Sequence, residues 1–211
     1  MAAASELFAE RGFHGTTVRE IAERAGANVA AGNYHYGSKK ALYLEVLRAQ
    51  FAAIRAALVR SGATRPRRDL ARLDRAALTA LLRSRVEVML DLLIGPPPGV
   101  HGTLMQREMC DPSEALPMIV TEFIRPMLGE LQDVVARLAP ELDAEALERC
   151  TFSLVGQVLF YRSTMPAMLH LLGREQYPRG LGRALAVHIT DFSLGGLAAV
   201  RGGRARGRHA R

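Results

Sequence analysis

The stretch that most constrains this chain is Thr17–Gly26, TVREIAERAG, because a new start signal, Asn28, follows its end by two residues. Thr17 and Glu20 have the spacing of a reciprocal capping box, in which the hydroxyl accepts from a backbone N–H three residues on and the carboxylate reaches back. Val18, Ile21, Ala22 and Ala25 then fall at i, i+3, i+4 and i+7, so one helical face is apolar while Arg19, Glu23 and Arg24 lie elsewhere. Gly26 ends the helix, and Asn28 is placed to cap a second short one. Two helices joined so tightly must turn sharply against each other, which is helix-turn-helix geometry.

The flanking sequence extends this unit. Ala4, Leu7 and Phe8 share a face of a preceding helix that Gly12 terminates, and Phe13 returns apolar surface to the core. Ser38 can cap a longer helix whose Leu47, Phe51, Ile54 and Leu58 form an apolar stripe. SGATRPRR, residues 61–68, breaks the periodicity and marks a boundary. Beyond it the pattern predicts helices over Asp69–Ile94, Thr103–Cys110, Ala115–Leu138, Ala144–Leu172 and Leu181–Val200, with Pro126 and Pro166 kinking two of them. No period-two strand pattern competes, so the expected fold class is all-α. The expected division is residues 1–50, a helix-turn-helix domain; 51–200, a larger helical domain; and 201–211, a basic disordered tail.

Composition is that of a globular chain, 49% hydrophobic and 23% charged, with an aliphatic core since Trp is absent. The net charge of +7 is misleading, because Arg201, Arg204, Arg206, Arg208 and Arg211 supply five charges and the remainder carries only +2. A nucleic-acid role must therefore rest on local placement. Cys110 and Cys150 sit far apart without a CxxC pair or a secretory signal, which predicts reduced thiols and a cytoplasmic setting. No apolar run reaches the roughly 18–20 residues of a membrane span.

In a helix-turn-helix the second helix presents its N-terminal residues to base edges while flanking groups hold phosphates. Small Ala30 and Ala31 allow close approach to the bases and contact with a thymine methyl, and Asn33 offers its amide to adenine or phosphate. Tyr34, His35 and Lys39 are placed to hold the sugar-phosphate backbone. Thr17, through its hydroxyl or its helix N-terminus, and Arg19 would serve the other edge of the groove. Thr17 as a plain cap is the competing reading, Tyr36 reads as core, and Lys40 as merely solvated.

LFAERGFHGTTVREIAERAG followed by NVAAGNYHYGSKKALYLEVL resembles the DNA-binding domain of TetR-type transcriptional regulators, over about Ala4 to Phe51. The resemblance places Thr17, Arg19, Asn28, Val29, Ala30, Ala31, Asn33, Tyr34, His35 and Lys39 at DNA-facing positions. It also implies a homodimer, a palindromic double-stranded DNA operator, a small-molecule effector and no cofactor. Gly32 departs from the family, which usually has a large apolar residue there; Gly inside a helix costs roughly 1 kcal/mol relative to Ala. The chain also begins almost at its first helix, without the basic arm common in relatives.

Two later stretches, LMQREMCDPSEALPMIV and GQVLFYRS, look similar to the CecR-like subfamily. Independently, Leu147, Cys150, Leu154 and Val158 form one apolar face of a helix, while Phe152, Val155 and Leu159 form another. With the stripe Leu185, Ile189 and Phe192, they mark a candidate two-fold, four-helix interface, though burial within one subunit fits the same pattern. Gln157, Tyr161, Arg162 and His170, with Met105, Met165 and Met168 as adaptable lining, are the candidate effector contacts. Arg107 and Glu108 either couple that pocket to the DNA-reading helices or form an ordinary surface ion pair.

A helical enzyme is the contrasting class. The sequence has no HExxH, P-loop or GxSxG, and His101, His170 and His188 lack metal-ligand spacing on one element.

Overall fold

The helix starts and stops legible in the sequence carry much of the architecture. The computed structural model describes residues 1–28, 36–95 and 100–208, with side chains over 1–28, 36–95 and 103–200. Numbered over those residues, the helices are α1 (Ala2–Arg11), α2 (Val18–Ala25), α3 (Lys39–Arg60), α4 (Arg67–Leu70), α5 (Arg75–Ile94), α6 (Val100–Cys110), α7 (Leu116–Ile119), α8 (Arg125–Leu138), α9 (Ala144–Ser163), α10 (Met165–Leu171) and α11 (Leu181–Arg208). A π-turn, Val120–Ile124, joins α7 to α8. The described residues contain no strand, so the fold is all-α.

Gly12 ends α1 at φ 74°, ψ 178°, a region that essentially only glycine enters, and its N–H donates to the carbonyl of Phe8. Gly26 ends α2 in the left-handed conformation at φ 62°, ψ 27°. Ser38 caps α3, its hydroxyl oxygen accepting from the N–H of Ala41 at 3.1 Å. Asp74 and Asp143 cap α5 and α9 by accepting from Ala77 and Ala146.

Three helices differ from expectation for local reasons. The helix predicted from Asp69 splits, because Asp74 takes up an N-cap conformation and restarts it as α5, leaving α4 as a single turn. The helix predicted over Ala144–Leu172 breaks at Thr164, with Pro166 in the first turn of α10, where a missing N–H costs nothing. Pro126 does not kink a continuous α-helix either. The turn before it widens to π, with the N–H of Arg125 donating to the carbonyl of Val120, which relieves the clash of a proline ring with the carbonyl four residues back. α11 continues to Arg208 and so takes in part of the segment read as a tail.

The chain divides into two compact units, and the division does not follow the expected cut at residue 50. One unit takes Met1–Ala56 together with Pro98–Arg125; the other takes Ala57–Pro97 and Pro126–Arg211. The first is built on Leu7, Phe8, Phe13, Ile21, Tyr43, Val46, Leu47 and Phe51, completed by Leu104, Ala115 and Ile119 from the second segment. Tyr36 packs partly buried against this core, as its reading as a core residue requires. The second unit is an aliphatic core of α5, α8, α9 and α11, including Leu82, Leu90, Val134, Leu154 and Ile189. Within it the buried guanidinium of Arg85 is paired with Glu130 at 2.9 Å. No helix among the described residues is long and apolar enough to cross a membrane.

Candidate nucleic-acid interface

The capping box of α2 forms in full. The hydroxyl oxygen of Thr17 accepts from the N–H of Glu20 at 3.2 Å, while the N–H and the hydroxyl of Thr17 each donate to Glu20 Oε2 at 2.8 Å. These two hydrogen bonds, the hydroxyl's first, hold the Glu20 carboxyl below its ordinary pKa, with Arg11 adding a smaller push. Both protons of Thr17 are therefore committed, and the groups left without an intrahelical acceptor at this end are the N–H groups of Val18 and Arg19. The Arg19 side chain is 80% exposed and paired with Glu23 at 2.8 Å. Such an exposed pair is worth little, so the guanidinium is free to exchange its partner for a phosphate.

Around this helix the unit is held by contacts that the sequence did not reveal. Thr16 is fully buried and its hydroxyl donates to the carbonyl of Gly12 at 2.8 Å, fixing the α1–α2 loop. Arg11 pairs with Glu20 at 2.7 Å, and Arg24 with Glu6 and Glu10 at 3.7 and 3.5 Å. Lys39 is half-buried: its ammonium donates to the carbonyls of Phe13 and Thr16 at 2.9 and 3.1 Å and sits 4.3 Å from the centre of the Phe13 ring. Two of its three protons are spent on these carbonyls inside the unit. Lys40, read as solvated, pairs with Glu114 at 2.9 Å while remaining exposed.

Asn28 is exposed at the end of the described segment. Val29, Ala30, Ala31, Gly32, Asn33, Tyr34 and His35, which carry the base-edge and most of the backbone expectations, lie outside the described residues.

Arg107 and Glu108 do not form the surface ion pair that was one of their two readings. Arg107 Nε donates to the carbonyl of Ala9 at 2.7 Å, and its Nη2 to that of Glu10. Glu108 is 1% exposed. Its Oε2 accepts from the Tyr43 hydroxyl at 2.8 Å, and its Oε1 from the N–H and the hydroxyl of Ser113, both at 2.9 Å. Burial, and then the adjacent carboxylate, push the Tyr43 phenol far above its ordinary range, so it stays a donor at any physiological pH. No pattern around Glu108 betrays this, since a carboxylate on an amphipathic helix is normally solvated.

The expected effector contacts are divided. Met105 belongs to the first unit and packs against its core. Gln157, Tyr161, Arg162, Met165 and His170 belong to the second. Gln157 donates to Ser193 Oγ at 3.2 Å; the carbonyl of Tyr161 accepts from the hydroxyl of Tyr177 at 2.9 Å; Met165 packs on the core. Arg162 is half-buried, and burial lowers its pKa. His170 is exposed. Among the described residues no group of three His, Cys, Asp or Glu is placed to hold a metal ion.

Comparison with known proteins accounts for both units. Residues 1–46 match the family model "Bacterial regulatory proteins, tetR family", and residues 75–197 match "HTH-type transcriptional dual regulator CecR, C-terminal domain". The HTH-type transcriptional dual regulator CecR of Shigella flexneri is 30% identical over 205 residues, 93% of this chain and 90% of that protein. The HTH-type transcriptional regulator RutR of Escherichia coli K12 is 46% identical over 48 residues, 23% of each chain. Among solved structures, a TetR-like transcriptional regulator from Rhodococcus sp. RHA1 superposes with a TM-score of 0.65 at 20% identity, covering 93% of this chain and 92% of that one. A capped helix-turn-helix start, an all-helical second unit and family matches over both lead to one assignment: the chain belongs to the TetR family of bacterial transcriptional regulators, in its CecR-like branch.

Proposed function

We propose that this regulator is a cytoplasmic homodimeric repressor that binds a palindromic operator and is released from it by a small, largely apolar effector. The observation that carries the dimer is the apolar surface of α9 and α11. Phe152, Leu159, Phe160 and Phe192 are 50%, 40%, 48% and 65% exposed, and a Cβ built at Gly156, Gly195 or Gly196 would meet nothing within 4 Å. Large exposed aromatics beside glycine-lined helix surface suit a second copy packed closely against these two helices. A two-fold dimer would then read two half-sites about 34 Å apart, one DNA turn. On each half-site the start of α2 that Thr17 caps would hold a phosphate through the N–H groups of Val18 and Arg19, with the Arg19 and Lys39 side chains beside it and Asn28, Val29, Ala30, Ala31, Asn33, Tyr34 and His35 supplying the remaining contacts.

Release follows if the effector binds better to the form whose reading heads are misplaced. Half-buried Gln157, Tyr161 and Arg162, with Met165 packed on the core, are the second-unit side chains we assign to offer it polar groups beside apolar surface. The test is selection of bound duplexes from genomic fragments, footprinting of the selected site, and a compound screen for release. A symmetric footprint with half-sites one turn apart, lost on adding a screened compound, is expected. Protection of a single half-site by a monomer, or a complex that no compound releases, sinks the corresponding part of the proposal.

A further inference from the structure

The TetR-type match ends at residue 46, yet the unit that contains it includes Pro98–Arg125, and that segment grips both helices framing α2. From α6, Arg107 donates to the carbonyls of Ala9 and Glu10, acceptors that the last turn of α1 leaves without an intrahelical partner. The next residue, Glu108, reaches α3 through Tyr43. The π-turn adds two more contacts to α3: Glu122 pairs with Arg48 at 3.2 Å, and the Phe123 ring stacks on Phe51 with centroids 3.9 Å apart.

Apolar packing alone tolerates small rotations of one helix on another, whereas directional bonds to a buried carboxylate do not. Glu108 receives three neutral donors and forms no ion pair among the described residues. Its burial is tolerable only in the arrangement that supplies all three. Arg107 likewise satisfies two carbonyls in a single geometry.

We propose that Arg107 and Glu108 are positioning residues for operator reading. They fix α1 against α3 and so set the angle at which α2 meets DNA, while touching no DNA themselves. This rests on the helix-turn-helix being the reading element, and it makes specific affinity depend on residues some sixty positions beyond that motif.

The test uses the full chain and, as probe, a duplex recovered by the wild-type protein from a random pool. Dissociation constants for Tyr43→Phe, Glu108→Gln and Arg107→Ala are measured across a salt series well below the melting temperature, alongside melting curves and solution mass. Each variant is expected to lose about tenfold or more in affinity for the selected duplex, the worth of a hydrogen bond to a charged group. Affinity for an unrelated duplex and the slope of affinity against salt should not change, since no phosphate contact is removed. Tyr43→Phe and Glu108→Gln combined should be no weaker than the worse single variant, because they break the same bond. Arg107→Lys, able to reach one carbonyl, should recover part of the loss.

Variants that melt earlier yet hold the selected duplex with wild-type affinity would overturn the proposal, and so would a changed salt slope. Should Glu108→Gln fail to fold, Tyr43→Phe, which removes one oxygen and leaves the ring, decides between these outcomes. Failure of the wild-type protein to select any duplex counts against the DNA-binding reading instead.

Discussion

At the scale of single residues, what a side chain does here was readable when its partner lay within four residues and hidden when it lay far along the chain. Thr17 and Glu20 are the first case. Thr17→Ala should lower stability by about 1 kcal/mol, the ordinary worth of an N-cap, as measured by denaturant unfolding. The depressed pKa of Glu20 adds a pH dependence. A carboxyl whose folded pKa lies below its unfolded value stabilises fully above the unfolded value, about 4.3 for Glu, and loses that contribution as pH falls through the folded one. The melting-temperature gap between wild type and Glu20→Gln should therefore be flat from pH 6 to 8, on the order of two pH units above that range, and shrink on acidification. Lys39 is the second case. Its positive charge at a helix start was legible, but its bonds to Phe13 and Thr16 were not. Lys39→Ala should lower both thermal stability and operator affinity. Lys40→Ala, which loses only an exposed pair with Glu114, should leave stability within about 1 kcal/mol of wild type.

At the scale of elements, caps and glycines placed the helix starts well, while the prolines acted through backbone geometry that periodicity does not contain. Pro126 and Pro166 were both expected as kinks; one follows a π-turn and the other opens a new helix. The apolar pattern of α9 was legible as two-faced, yet only exposure separates the face inside the second unit from the one left uncovered. Leu154 and Val158 are buried; Phe152 and Leu159 are not. Sedimentation velocity gives the check. Phe192→Asp together with Gly156→Leu, placing a charge and a bulky side chain on the uncovered face, should convert a dimer to a folded monomer at micromolar concentration with helicity retained.

At the scale of the whole molecule, the first unit is discontinuous, and this has a direct consequence. A fragment ending at residue 56 lacks Leu104, Ala115 and Ile119, three buried members of its own core. Losing several large buried contacts costs a few kcal/mol each, comparable with the whole stability of a small domain, so the fragment should melt at far lower temperature than the intact chain or without cooperativity. Differential scanning calorimetry distinguishes these outcomes from a fragment that melts as the full chain does. The arginines after Val200 carry five of the seven net positive charges. If they only solvate the end of α11, removing residues 201–211 leaves the salt dependence of operator binding unchanged; a shallower slope would count them among the phosphate contacts.

Short-range spacing was enough for the all-α class, the end of α2 at Gly26, the caps of α2 and α3, and the family, because each is encoded within a few residues or in a contiguous motif. Chain folding settled what depends on partners far apart. It joined Pro98–Arg125 to the helix-turn-helix unit, buried Glu108 against Tyr43, turned Arg107 onto the end of α1, and spent two protons of Lys39 inside the domain. The difference arises because local periodicity fixes which face of a helix is apolar, whereas the burial of a polar group is allowed or forbidden by the donors and acceptors that another segment brings to it.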